Sequence, residues 1–159
     1  MLNLLFSPNG QIGSSEMLKG GLILIIIGAL LSLAPVLGAS ESLTMILGLV
    51  GYILIIPWIF LWMKRYRDGG KSPAMCLLPI GVYIVLSIIV VMTVVGGEVF
   101  GAAMEAAQSG ASSAETEQAV AEAMGDPSQL ALKGTIASSI VSLLVLFGFN
   151  ALIKHDPAA

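Results

Sequence analysis

Four uncharged apolar runs, Gly20–Leu37, Leu43–Met63, Ala74–Val95 and Gly134–Ile153, are set apart by short polar stretches. At 1.5 Å of rise per residue each run is long enough to cross a hydrocarbon core of about 30 Å as a helix, the shortest with slight thinning of the bilayer. The pattern predicts an all-α integral membrane protein of four transmembrane helices. Residues 1–159 read as one membrane domain, because four spans of about 20 residues leave little chain for a soluble lobe.

The polar punctuation predicts the remaining elements. MLNLLF is apolar but too short to span, and with the turn-forming Ser7–Gly10 it reads as a stub at the membrane interface. Ser14 or Ser15 suits a helix N-cap, with Glu16 in the first turn. Pro57 predicts a kink near the end of span two, and Trp58, Trp62 and Tyr66 read as rings at headgroup level. Pro73 suits the first turn of span three. Residues 96–133 form the one long segment outside the spans. Val99, Phe100, Ala103, Met104 and Ala107 share one helical face there, and Ser112 with Glu115 forms an S-x-x-E capping box. A second apolar face, Ala119, Val120, Ala123 and Met124, ends at Gly125 and Pro127. The expectation is an extracytoplasmic amphipathic helical hairpin between helices three and four.

Charge orients the chain. Lys19, Lys64, Arg65, Arg67, Lys71 and Lys154 fall on one side of the four runs, against Lys133 alone on the other. Lys and Arg concentrate on the cytoplasmic side, so both termini are expected there. Six acids and no base lie between Gly96 and Leu130. With 11 % charged and 57 % hydrophobic residues the chain departs strongly from soluble composition. The single cysteine, Cys76, and single histidine, His155, offer no disulfide pair or metal set, and no cofactor is expected.

The loop Lys64–Pro73, KRYRDGGKSP, carries the motif R-x-x-D-x-G-x-S at Arg65, Asp68, Gly70 and Ser72, with Phe6 and Gly10 preceding span one. In these residues the chain resembles the domain-of-unknown-function 805 family of small bacterial inner-membrane proteins. The resemblance implies the four-helix architecture and that membrane address. The family's N-terminal arginines have no counterpart here, where Gln11, Ser14, Met17 and Leu18 stand instead.

Three sets of residues are candidate contact sites. Lys64, Arg65, Arg67, Asp68, Lys71 and Ser72 read as a structured loop touching anionic phospholipid or a partner. GGKS at Gly69–Ser72 resembles the tail of a phosphate-binding loop, but it lacks the earlier glycine and the strand. Gly134, Ser138 and Ser142 form a small-residue ladder for helix packing, with Gly28, Ser32, Gly48 and Gly51 as counterparts. Phe100, Met104, Val120 and Met124 are the hairpin's contact residues. Ion-coupled transporters keep ionisable groups inside the membrane, and the four runs contain none. The reading that follows is no enzyme and no nucleic-acid binding, but an accessory or scaffold subunit among other membrane proteins. The alternative is a lipid- or small-molecule-handling protein working as a homo-oligomer.

Overall fold

The computed structural model describes residues 2–154; His155 and Asp156 lie outside them. The chain is all-helical. α1 (Leu2–Phe6) precedes α2 (Ser14–Ser32), span two is split into α3 (Glu41–Ile53) and α4 (Ile55–Asp68), and a 3-10 turn, Pro73–Cys76, opens α5 (Leu77–Val91). α6 (Gly97–Gln108) and α7 (Ser113–Met124) form the hairpin, and α8 (Pro127–Leu152) completes the bundle. Four stretches are long and apolar enough to cross a membrane: Ser14–Ser32, Ser42–Asp68, Pro73–Val94 and Ser128–Leu152. The protein is a multi-pass membrane protein with two shorter helices between its third and fourth spans.

Local chemistry explains where the boundaries differ from the apolar runs. α2 is opened by Gly13, whose N–H is accepted by the Glu16 carboxylate at 3.3 Å. It stops at Ser32 rather than Leu37 because Pro35 disfavours helix at the residue before it. The break in span two falls at Leu54, a turn before Pro57 and near mid-span. The proline ring crowds the carbonyl of Ile53, four residues back, and Leu54 N–H bonds Gly51 O at 3.2 Å instead of continuing the α-ladder. α4 then runs through Asp68, so Lys64–Asp68 are helical and only Gly69–Ser72 remain as loop. The helix ends in a Schellman motif: Gly70 has φ +64°, Lys71 N–H reaches Tyr66 O at 2.9 Å and Gly70 N–H reaches Arg67 O at 3.0 Å.

The helix of span three does not stop where its apolar run ends. A π-turn over Met92–Gly96 joins α5 to α6, and Thr93 Oγ1 donates to Ile89 O and Val90 O, both at 3.0 Å, inside that widened turn. α7 begins with the expected capping box: Ser112 N–H donates to Glu115 Oε2 at 2.7 Å, and Glu115 N–H to Ser112 Oγ at 3.4 Å. These bonds hold the Glu115 carboxyl below its usual pKa, the backbone N–H of Ser112 first and its hydroxyl second. Pro127 starts α8 rather than merely ending α7, with Asp126 Oδ1 accepting from Ser128 N–H at 2.9 Å.

Lipid is as apolar as the spans, so helix association depends on close packing and interhelical hydrogen bonds. Both are concentrated on α2. A Cβ at Gly20 would lie 2.9 Å from Leu61 Cδ2, and one at Gly21 2.6 Å from Leu146 Cδ1. These adjacent glycines let α4 and α8 approach α2 from two directions. At the hairpin end Ser32 Oγ lies 2.9 Å from Thr135 Oγ1, joining α2 to α8. Trp62 is 1 % exposed. Its ring stacks on Trp58 (centroids 6.4 Å) and meets the edge of Phe149 (6.1 Å). Trp62 and Tyr66 therefore belong to the core rather than to an outward headgroup belt.

Candidate functional site

The segment expected to be a lipid-facing loop is, in its first half, a buried polar knot. Lys64 and Arg65 are each 2 % exposed and Asp68 5 %. Arg65 Nε donates to Asn150 Oδ1 at 2.8 Å, one Nη pairs with Asp68, and the other donates to Ile153 O and to Asn150 O. Asn150 Nδ2 in turn donates to Ser14 Oγ at 2.8 Å. Lys64 Nζ donates to Leu4 O and Arg67 to Pro8 O, which fastens the N-terminal stub. Leu5 and Ile12 are buried with it, so the stub packs into the bundle end.

A guanidinium presents five donors in a rigid fork, and here backbone and amide oxygens from α8 meet that fork. The neutral carbonyls satisfy hydrogen bonds while Asp68 supplies the opposite charge, which is what a buried cation needs. All three guanidinium nitrogens of Arg65 and Oδ2 of Asp68 are engaged in this network, which ties α4 to the end of α8. It places ionisable groups at the end of a candidate span, where the apolar run alone shows none. The remaining members of the expected contact set sort differently. Lys71 and Ser72 are exposed, and Ser72 Oγ caps the next turn by accepting from Ala74 N–H at 3.4 Å. Gly69 sits against the chain end, where a Cβ would meet Ile153 Cγ2 at 2.6 Å and Lys154 O at 3.0 Å. The backbone N–H groups of Gly69, Gly70 and Lys71 donate to Arg65 O, Arg67 O and Tyr66 O, so they are not turned toward a phosphate.

The small-residue ladder Gly134, Ser138 and Ser142 is half-buried on α8 and faces open space. A Cβ at Gly134 meets no described atom within 4 Å, and Ser138 and Ser142 border an open groove of about 720 Å3. The groove lies between α2, the kinked α3–α4 helix, α5 and α8, and the expected counterparts Gly28, Ser32, Gly48 and Gly51 line it too. The break at Leu54 makes the space: α3 contacts α2 but makes little contact with α5 or α8. Leu24, Trp58 and Val145 form its apolar inner part, and Ser32, Pro35 and Thr44 lie toward the hairpin end. None of the described lining residues is charged.

The hairpin packs chiefly on itself, α6 against α7. Phe100 is 67 % exposed, Met104 and Met124 are also exposed, and Val120 is half-buried. A smaller cavity of about 260 Å3 at its root is bordered by Glu122, Asp126 and Lys133.

Sequence reasoning missed Asn150, Gly20 and Gly21. Asn150 is the lone Asn or Gln within the four apolar runs, a readable sign of a polar partner nearby. No family model, curated protein or solved structure matches the chain.

Proposed function

We propose that the protein binds a chain-bearing membrane molecule in the groove between its spans. The observation that carries this reading is the groove's size and lining. Ligand sites commonly enclose about 300–1,000 Å3 and are mostly apolar with a few polar groups, and this groove has about 720 Å3 of that character. A partner's transmembrane helix, about 10 Å across and 30 Å long, would need roughly 2,400 Å3. One hydrocarbon chain is the better fit. The groove lies within one chain, so this reading does not require a homo-oligomer.

A second reading is the accessory or scaffold subunit, favoured by the exposed Phe100, Met104 and Met124 on an outer hairpin. One purification in mild detergent tests both. Gly28→Leu/Gly48→Leu fills the groove without meeting a described atom at either Cβ, and should lose a lipid that the parent protein retains at about one per chain. Phe100→Ser/Met104→Ser should leave that lipid in place and, if the hairpin is a subunit interface, release co-purifying membrane proteins. Equal lipid content in parent and filled protein would overturn the groove reading.

The orientation belongs to the same proposal. The six-to-one division of basic residues supports both termini on the cytoplasmic side, and the resemblance carried by Arg65, Asp68, Gly70 and Ser72 supports a bacterial inner membrane. The exposed Lys19, Lys71 and Lys154 would then face anionic phospholipid, contributing about 1 kcal/mol each. In a Cys76→Ala background, cysteines at Ser40 and Ser112 should react with an impermeant thiol reagent added to spheroplasts, and one at Ser72 should not. Labelling at Ser72 alone would reverse the orientation.

A further inference from the structure

Three serines of the groove's polar wall, which also holds Thr44, Ser139, Tyr52 and Tyr83, carry hydroxyl protons that are already used. Ser138 Oγ donates to Thr135 O at 3.1 Å, and Ser142 Oγ donates to Ser138 O at 2.8 Å. Thr135 Oγ1 donates to Ala131 O at 2.7 Å. The proton of Ser32 Oγ lies between two acceptors, Ala29 O at 3.0 Å and Thr135 Oγ1 at 2.9 Å. A hydroxyl has one proton and two lone pairs. With the protons turned into the helices, Ser32, Ser138 and Ser142 offer the groove oxygen lone pairs.

We infer that the groove takes an uncharged lipid alcohol, an amphiphile whose hydroxyl donates to Ser32, Ser138 or Ser142 while its chain lies against Leu24, Trp58 and Val145. This rests on the groove being the binding site, and it adds the chemical class. At these three serines a phosphate or carboxylate would face lone pairs, no described lining residue is a cation that could neutralise it, and burying an unpaired ion is costly. A chain without a donor would leave the serine oxygens uncompensated where it covers them. The lining runs from mid-bundle at Trp58 toward Pro35 and Thr44 at the hairpin end. A molecule seated in the hairpin-side leaflet, polar end outward, therefore meets the serines at its polar end and the tryptophan along its chain.

Trp58 supplies the readout, since it lines the groove and bromine on a lipid chain quenches a tryptophan it touches. The full-length protein in phosphatidylcholine nanodiscs is titrated with a monoacylglycerol carrying a brominated chain. The same chain is then offered as a methyl ester and as an alkyl sulfate, which carries a fixed negative charge and no donor. The monoacylglycerol should quench saturably, with both other probes about tenfold weaker, the change expected for losing one or two neutral hydrogen bonds. Ser138→Ala/Ser142→Ala should weaken the monoacylglycerol by a similar factor and leave the ester unchanged. Gly28→Leu/Gly48→Leu should abolish saturable quenching by every probe. Thermal unfolding of each variant shows that the bundle is intact, and Ser142→Ala and Gly48→Leu serve singly if a double variant unfolds. Equal quenching by all three probes, indifferent to the serines but lost on filling the groove, would overturn the alcohol assignment and leave the groove as a chain-binding site. Saturable quenching by none of them, or quenching that survives filling, would remove the groove reading itself.

Discussion

Arg65→Ala is expected to lower the unfolding free energy in detergent by about 3–5 kcal/mol, the cost of breaking a buried ion pair from one side. The change leaves the buried Asp68 carboxylate without its guanidinium. It also removes the donor to Asn150 Oδ1 and Ile153 O, and loosens α4 from the end of α8. Arg65→Lys should recover little, since one ammonium cannot reproduce a fork that serves Asp68, Asn150 and Ile153 together. Asp68→Asn should cost less than Arg65→Ala, because an amide oxygen still accepts from Nη1 and the α8 oxygens stay in place. Asn150→Ala in the Arg65→Ala background should add less than it does alone, because the two residues share one network. Denaturation followed through the tryptophans, whose environment includes Tyr66 and Phe149 beside the knot, provides the measurement. A loss below about 1 kcal/mol for Arg65→Ala, the range of a solvent-exposed pair, would mean that the knot is not closed in the membrane-extracted protein.

Gly21→Val should destabilise the bundle by about 1–3 kcal/mol through overpacking, while Gly28→Val on the same helix should be close to neutral. The two positions differ in what faces them. Gly21 has Leu146 Cδ1 and Cδ2 at 2.6 and 2.7 Å from its ideal Cβ, whereas Gly28 faces the groove and meets no described atom within 4 Å. Leu146 is fully buried, so its side chain has little room to retreat. Adding Leu146→Ala to Gly21→Val should therefore restore part of the loss, although Leu146→Ala alone leaves a cavity. Strictly additive losses, or equal losses at Gly21 and Gly28, would contradict the packing described for α2 and α8.

The spans and the hairpin were legible because each rests on a local pattern. An uncharged run of about 20 residues has few alternatives, and the Ser112–Glu115 box is complete within four positions. What remained hidden depends on partners far along the chain. Lys64 and Arg65 carry the same side chains whether they face lipid headgroups or bury themselves, and the choice was made by oxygens 60 and 85 residues away. The small residues behaved likewise. Ser138 and Ser142 fit a packing ladder by spacing, but the kink before Pro57 leaves α3 apart from α8 and turns the ladder into a groove wall. The neighbouring Gly20 and Gly21 break the i, i+4 rule for a tight interface because each serves a different helix.

The knot also has an order of assembly. Arg65 leaves the ribosome 85 residues before Asn150, an interval of about 4–17 s at 5–20 residues per second. Throughout that time Arg65 has no α8 to bind, and Asp68, three residues on, is the ion-pair partner within its reach. The fastening of α4 to the end of α8 therefore waits for the last span. A nascent chain halted before Asn150 would hold its first three spans without this fastener.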